Sequence, residues 1–308
     1  MENHFADRLI TAIKTKQTPL VVGLDPRWER LPSSLTGKID PADFKTKAMA
    51  YQRFCCDIID AVVGIVPAVK PQAAFFEHLG PGGMTALANV VEHAHKNGLI
   101  VIMDAKRGDI GSTAEAYASA FLGVKPASVW GCDSLTINPY LGDDSLQPFV
   151  TQCRATGAGI FVLVKTSNPG SQTLQELSTD SNKPIYQHVA EMVQQLTAED
   201  LGEFGYGSIG AVVGATYPQQ LSELRSLMPN SIFLVPGLGA QGGTAADVAG
   251  GFDDQGLGAV INSSRAIIFA YQREEYEAVD DWQTAVEYAT RDTVEQLATH
   301  TSAGKLRG

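Results

Sequence analysis

Three charged side chains with spacing suited to proton transfer stand within six positions: Asp104, Lys106 and Asp109. They follow directly after an apolar run at residues 99–103. Side chains alternate along a strand, so Asp104 and Lys106 are predicted to share a face within hydrogen-bonding reach. With Lys70, they could form an alternating array that holds a lysine protonated and aimed, while an acid destabilises an anionic substrate group. The alternative is a salt bridge plus an acid stabilised by a helix N-terminus.

Two further segments have the composition of an anion site. Residues 235–248 form a glycine-rich stretch between an apolar run and a helix-like segment, with Gln241 near the helix start. Residues 261–267 repeat this arrangement with Ser264 and Arg265. Free N–H groups at a helix start favour phosphate, and an arginine can bind it through two hydrogen bonds. The alternative is a pair of tight turns without a ligand.

The elements that must position these residues alternate along the whole chain. Short apolar runs, as expected for parallel strands covered on both faces, lie at residues 19–25, 64–71, 98–104, 134–138, 159–166, 209–215, 231–237 and 256–262. Amphipathic segments of helix length lie between and after them, at 41–62, 82–98, 112–122, 144–156, 184–201, 218–228, 241–250 and 280–299.

This alternation predicts a single (β/α)8 TIM barrel over residues 1–308, with an N-terminal helix at about 1–17 and a polar insert around 171–208. Asp40 is the predicted N-cap of the helix at 41–62, with Pro41 as its first residue. A doubly wound open sheet is the alternative, but the segment after the first strand, VGLDPRW, lacks the glycine pattern of a dinucleotide fold.

Active sites of such barrels lie at the carboxyl ends of the strands. The candidate site residues are therefore the polar residues that end or follow the apolar runs. These are Asp25, Lys70, Asp104, Lys106, Asp109, Asn138, Lys165, Ser167, Gln241, Ser264 and Arg265.

Composition excludes several functional classes. The formal net charge is −11, which argues against nucleic acid and anionic membranes as partners but permits a small anionic ligand. No run reaches the roughly 18 apolar residues of a membrane helix, and the amphipathic N-terminal segment predicts no signal peptide. The four cysteines form no CxxC pattern, which predicts reduced thiols in a cytoplasmic protein.

These motifs resemble the orotidine 5′-phosphate decarboxylase family. The family's D-x-K-x-x-D-I followed by threonine is matched by Asp104, Lys106, Asp109, Ile110 and Thr113. The variant DAKRGDIGSTAEAYA resembles the longer bacterial subgroup, and the resemblance extends over residues 21–267.

The resemblance implies cofactor-free decarboxylation of orotidine 5′-phosphate (OMP) to UMP and CO2. Lys106 would protonate C6, Asp104 would face the departing carboxylate, and Lys70 would bridge the ribose and the charge network. Asp109 and Thr113 would reach the active site of the partner in a homodimer.

The resemblance also implies the substrate-binding residues. Asp25 would bind the ribose hydroxyls, and Ser167 would bind the pyrimidine edge. Gln241, Arg265 and the amide of Ser264 would hold the 5′-phosphate. No cofactor and no metal ligand are expected, and the six histidines are scattered along the chain.

Two departures from the family pattern and two alternative functions stay open. Lys70 is followed by proline, and the segment around 171–208 is longer than a minimal barrel needs. One alternative is the related Mg²⁺-dependent 3-keto-hexulose-6-phosphate decarboxylase or aldolase, which uses a glutamate of the second strand, whereas Glu77 lies several residues beyond Lys70. The other is a non-catalytic barrel that binds phosphosugars.

Overall fold

Eight parallel strands pair in chain order and close into a barrel, as the alternation predicted. The computed structural model describes residues 4–37, 39–40, 42–123, 125–126, 128–239 and 243–308. The strands are β1 Leu20–Leu24, β2 Ala68–Pro71, β3 Ile100–Arg107, β4 Ser134–Ile137, β5 Gly159–Lys165, β6 Gly207–Val213, β7 Ser231–Pro236 and β8 Ala259–Ser263. The runner-up open sheet is therefore wrong, because β8 pairs with β1.

The α-helices surround this barrel and also close one of its ends. Their bounds are α1 Phe5–Lys16, α2 Ser33–Thr36, α3 Phe44–Val62, α4 Ala74–Glu77, α5 Gly80–Lys96, α6 Gly111–Phe121, α7 Gln147–Thr156, α8 Gln172–Gln175, α9 Ile185–Ala198, α10 Pro218–Leu227, α11 Arg265–Ile268 and α12 Trp282–His300. Short 3-10 turns cover Trp28–Arg30, Pro169–Ser171, Ala246–Gly251, Ala270–Gln272, Glu274–Tyr276 and Ser302–Arg307.

Two predicted helices differ from the structure. The N-cap of α3 is Asp43, whose carboxylate accepts from the amides of Lys45 and Thr46; Asp40 instead accepts from the Ala42 amide, 2.9 Å away, in a local turn. Pro41 lies outside the described residues. The helix predicted at 241–250 is replaced over its described part by the 3-10 turn Ala246–Gly251, whose adjacent glycines disfavour a regular α-helix.

Inside the barrel, each strand presents one row of alternating side chains to the axis. The lower part of these rows is apolar and packs with α1, which inserts Phe5, Leu9 and Ile10. Gly159 leaves room for the Phe5 ring, because a Cβ at this glycine would stand 2.6 Å from the ring's Cγ. Since α1 closes the amino end of the barrel, an interior cavity can open only at the carboxyl end.

Asp133, just before β4, fastens this closure. Its buried carboxylate accepts from the Arg8 guanidinium of α1, from the ring Nε2 of His95 at 2.9 Å and from the Val101 amide at 2.8 Å. Burial opposes ionisation of Asp133, but the His95 hydrogen bond and the Arg8 charge outweigh it and lower the pKa of Asp133 below its usual value.

Residues 171–208 contain α8, α9 and the turns around them. An isolated antiparallel bridge joins Ser178 to Pro184, and another joins Leu201 to Gly207. All four cysteines are free, and three of them are buried. Within the described ranges, no helix combines the length and apolar character that crossing a membrane requires.

Replacing Asp133 with asparagine should lower the free energy of unfolding at pH 7 by about 3 kcal/mol, because it breaks a buried ion pair between α1 and the barrel. The pKa of Asp133 is lower in the fold than in the unfolded chain. Its stabilisation is therefore present above about pH 4 and declines as the pH falls through the folded-state pKa. Urea unfolding should show the wild-type advantage over Asp133→Asn shrinking between pH 7 and pH 3.

A matched control is Glu92→Gln, which removes an exposed partner of Lys96. This change should leave the unfolding curve in place. Equal effects of the two substitutions, or a difference independent of pH, would contradict the role given to Asp133.

Candidate active site

A cavity of about 840 Å³ opens at the carboxyl ends of the strands. It is large enough for a nucleotide-sized ligand. Of the sequence-predicted site residues, the cavity is lined by Asp25, Lys70, Asp104, Lys106, Asn138, Ser167, Ser264 and Arg265. On β2, β3 and β8 the inward rows that are apolar near α1 become polar here: Ala68 is followed by Lys70, Ile102 by Asp104 and Val260 by Asn262.

Asp104 stands at the centre of the charged side of this cavity. Its Oδ2 accepts from the Lys70 ammonium at 2.6 Å, and its Oδ1 accepts from the Lys106 ammonium at 2.5 Å. The Thr136 hydroxyl donates to the same Oδ1 at 3.1 Å. Lys70 and Asp104 are buried, whereas 47% of the Lys106 side chain is exposed toward the cavity.

Burial and charge act against each other in this network. Burial would raise the pKa of Asp104, but Lys70 and Lys106 outweigh it and hold this pKa well below the usual range. Burial would also lower the pKa of Lys70, but Asp104 and Asp25 outweigh it and raise this pKa. The network therefore keeps an anion and a cation buried side by side.

Lys106 does not reach Asp104 by regular strand alternation. Met103 pairs with Leu135, but the next pair is Arg107 with Ile137, so β3 bulges between them. Lys106 lies in this bulge with φ +48°, a left-handed conformation that is uncommon for a lysine. The bulge turns the Lys106 side chain toward the Asp104 carboxylate and the cavity.

Two residues that line the cavity from other strands each have a buried acceptor oxygen. Asp25 Oδ1, after β1, and Asn262 Oδ1, in β8, are buried with no hydrogen-bond partner among the described residues. A buried acceptor without a donor costs about 1–3 kcal/mol, which a ligand hydroxyl would offset. Asn262 was missed by the sequence reasoning, although it ends an apolar run in the same way as Asp25.

Only part of the predicted anion site lies within the described residues. Ser264 and Arg265 line the cavity at the start of α11, while Gln241 lies outside the described residues. The Asn262 side-chain amide donates to Ser264 Oγ at 3.2 Å. Gly23 of β1 makes room for this pair, because a Cβ there would stand 2.9 Å from Ser264 Cβ and 3.0 Å from Asn262 Oδ1.

The segment after β5 forms one wall of the cavity, with both polar and apolar side chains. Ser167 begins this wall, and Leu174, Gln175, Ile185 and Val189 continue it. Ser167 packs closely against β6 at Gly214, where a Cβ would stand 2.8 Å from Ser167 Cβ.

Lys165, the charged residue at the end of β5, turns away from the cavity. The register of β5 shifts between Leu163 and Lys165, so the alternation that would point Lys165 inward is broken. Its buried ammonium donates to Ser171 Oγ at 2.9 Å and pairs with Glu176 at 3.0 Å. Lys165 therefore holds the wall segment rather than the ligand.

Asp109 and Thr113 lie outside the cavity of their own chain. Asp109 accepts from the Ile110 amide at 2.8 Å, and Thr113 is exposed in the first turn of α6. Glu77, considered as a metal ligand of a related enzyme, pairs instead with the Arg107 guanidinium. Within the described ranges, no three His, Cys, Asp or Glu side chains cluster as metal ligands would.

A closed (β/α)8 barrel with an interlocked Lys–Asp–Lys set at its carboxyl end defines a TIM-barrel enzyme. The chain belongs to the orotidine 5′-phosphate decarboxylase / HUMPS family, whose model matches residues 18–279.

Individual relatives narrow this assignment to the decarboxylase. An orotidine 5′-phosphate decarboxylase from Rhodopirellula baltica is 57% identical, covering 95% of this chain and 98% of the relative. One from Deinococcus radiodurans is 43% identical, covering 86% and 89%. The solved structure of Leishmania donovani OMP decarboxylase superposes with a TM-score of 0.73 at 33% identity, covering 96% and 98%. The hexulose-phosphate alternative is not favoured by these relatives.

Gly23→Ala should weaken nucleotide binding more than catalysis, because the atoms nearest to the new methyl group belong to Ser264 and Asn262 and not to the Lys–Asp–Lys set. We expect the KM for OMP and the Kd for UMP to rise about tenfold, which is the loss of roughly one hydrogen bond. The expected fall in kcat is smaller. Steady-state kinetics and calorimetric titration with UMP measure these quantities.

The control for this change is Gly64→Ala, since a Cβ at Gly64 meets no atom within 4 Å. It should match the wild type in both assays. Unchanged UMP affinity in Gly23→Ala would show that the Asn262–Ser264 pair does not contact the ligand.

Proposed function

We propose that the cavity binds OMP with its C6 carboxylate beside Asp104, and that Lys106 protonates C6 as CO2 leaves. The observation that carries this proposal is the Lys70–Asp104–Lys106 network, which holds one ammonium group toward the cavity in a chain of the decarboxylase family. The reaction yields UMP and requires no cofactor in this scheme.

The chemistry consists of one bond broken and one bond formed. The C6–carboxylate bond breaks, its electron pair remains on C6, and neutral CO2 departs. A proton from the Lys106 ammonium then forms the new C6–H bond, and the amine regains a proton from water. A fixed cation stabilises the developing carbanion without solvent reorganisation, which is the main source of rate enhancement in such sites.

Asp104 contributes in two ways that its contacts support. It orients Lys106 through their 2.5 Å hydrogen bond. Its negative charge also stands beside the substrate carboxylate, and this repulsion disappears when the carboxylate leaves as neutral CO2. The low pKa of Asp104 keeps the charge in place over the physiological pH range.

The remaining lining residues bind the parts of OMP that do not react. The open acceptors of Asp25 and Asn262 receive the ribose hydroxyls, and Ser167 hydrogen-bonds to the pyrimidine edge. Arg265, the Ser264 amide and Gln241 hold the phosphate. Binding energy from this remote anion positions C6 against Lys106.

The proposal extends to a homodimer in the cytoplasm. Asp109 and Thr113 would enter the cavity of the partner subunit. Their position outside the cavity of their own chain supports this. Three large apolar side chains in the segments that follow β3 and β4 are also exposed: Ile110 is 57%, Tyr140 74% and Leu141 49% exposed. Burying these side chains against a second copy would stabilise a twofold interface, and four free cysteines suit a reducing compartment.

Purified protein should remove the absorbance of OMP equally well with and without EDTA, because the proposed reaction needs no metal. Lys106→Ala should lower kcat at least a thousandfold by removing the proton donor, while UMP binding stays measurable by calorimetry. Loss of activity with EDTA would indicate the Mg²⁺-dependent alternative. UMP binding without turnover in the wild type would indicate a binding protein.

Mixing Asp104→Ala with Asp109→Ala should restore activity that neither variant has alone. Half of randomly reassorted dimers combine both chains, and each such dimer has one intact site, so about a quarter of wild-type activity should return. The assay follows OMP turnover after the variants are mixed and allowed to exchange subunits. Absence of recovery, with exchange verified by mass spectrometry, would contradict the shared site.

A further inference from the structure

We infer that Thr136 is a positioning residue that fixes the place of the Lys106 ammonium group. The inference rests on the proposed role of Lys106 in protonating C6. Thr136 lies in β4, is 1% exposed and borders the cavity. Neither the motif around Lys106 nor any strand-end pattern in the sequence singles it out.

The backbone that carries Lys106 departs from regular pairing with β4. In the β3 bulge, two more residues separate Met103 from Arg107 than separate their partners Leu135 and Ile137. Ala105 and Lys106 therefore lack strand partners for their amides in β4. Backbone amides of this kind need another hydrogen-bond acceptor, because an unpaired amide away from water would destabilise the bulge.

The Thr136 hydroxyl is that acceptor. Its oxygen accepts from the Ala105 amide at 3.1 Å and from the Lys106 amide at 3.0 Å. The same hydroxyl donates its hydrogen to Asp104 Oδ1 at 3.1 Å. One donor and two acceptor lone pairs are all that a hydroxyl possesses, so every one of them is used here.

These three hydrogen bonds connect the two groups whose mutual position matters. One end of the connection is the Asp104 oxygen that receives the Lys106 ammonium, and the other is the amide of Lys106 itself. Lys106 keeps φ at +48°, and such a conformation persists only when the surroundings hold it. Thr136 supplies that restraint, and its β-branch restricts rotation of the hydroxyl.

The test compares Thr136→Val, which keeps the shape and removes the hydroxyl, with Thr136→Ser, which keeps the hydroxyl. Thr136→Val should lower kcat by tenfold to about a hundredfold, because a displacement of about 1 Å at the proton donor has this effect. Its KM for OMP and Kd for UMP should change less than about threefold, since the hydrogen bonds of Thr136 go to Asp104 and to the Ala105 and Lys106 amides and not to Asp25, Asn262, Ser264 or Arg265. Thr136→Ser should stay within about threefold of wild type in kcat.

Ser134 provides a matched control on the same strand. It lies two residues before Thr136 in the same inward row and is fully buried, and its Oγ has no hydrogen-bond partner among the described residues. Ser134→Ala therefore removes a buried hydroxyl without removing a contact, and it should leave kcat and KM unchanged.

Crystal structures of the variants provide a readout that does not depend on turnover. In Thr136→Val the Lys106 φ should leave the left-handed region and its ammonium should move away from Asp104 Oδ1; in Thr136→Ser both should stay. An unmoved Lys106 in Thr136→Val, or a kcat equal to that of Ser134→Ala, would overturn the inference. A Thr136→Ser enzyme as impaired as Thr136→Val would also overturn it, since packing of the methyl group would then be the cause. Failure of the wild type to decarboxylate OMP would refute the proposed function, while the structures would still decide the role of Thr136.

Discussion

The carboxylate of Asp104 is buried between the ammonium groups of Lys70 and Lys106, and the open end of the barrel is organised around this contact. A buried carboxylate without cations would take up a proton, because the charged form is costly in an apolar interior. Here two lysines keep it ionised, and Asp25, at the end of the neighbouring strand β1, balances the second positive charge. The set of two acids and two bases is electrically neutral before substrate arrives. In the proposed complex, the charge of the nucleotide phosphate is therefore left to Arg265 and backbone amides, away from the reacting carbon.

The barrel supplies this arrangement by small departures from regularity. Regular alternation produces inward rows that are apolar at the end closed by α1 and polar at the open end. The bulge in β3 brings Lys106 onto Asp104, and the shift in β5 turns Lys165 out of the cavity. Bulges of this kind re-aim side chains without disturbing the rest of a sheet. Some strand ends thus carry side chains of the cavity, such as Lys106, and others carry side chains that hold the surrounding structure, such as Lys165.

The sequence predicted the closed barrel, since eight buried runs alternating with helices have few other packings. It also predicted the five charged residues that line the cavity within the described part of the chain, because polar residues at the ends of apolar runs meet at one rim. Strand alternation predicted that Asp104 lies beside Lys106, which is correct although β3 is irregular there. The same alternation predicts that Lys165 points inward, which is wrong because the register of β5 shifts. Register shifts depend on pairing with neighbouring strands, which no local pattern contains. Thr136 and Gly23 were missed for a related reason: each acts through contacts with another strand. Asn262, in contrast, ends an apolar run as Asp25 does, so the same pattern could have found it. The choice of Asp43 over Asp40 as N-cap depends on which carboxylate reaches the first free amides.

The tether formed by Lys165 with Ser171 and Glu176 separates two properties that many enzymes combine. In the proposed mechanism, the wall that meets the base is attached to β5 through Lys165, whereas the reacting charges belong to β2 and β3. Evolution, or a protein engineer, can therefore rebuild the segment from Ser167 to Val189 to admit a different heterocycle while the proton donor keeps its place. A barrel with this division is a starting point for decarboxylating other ring acids.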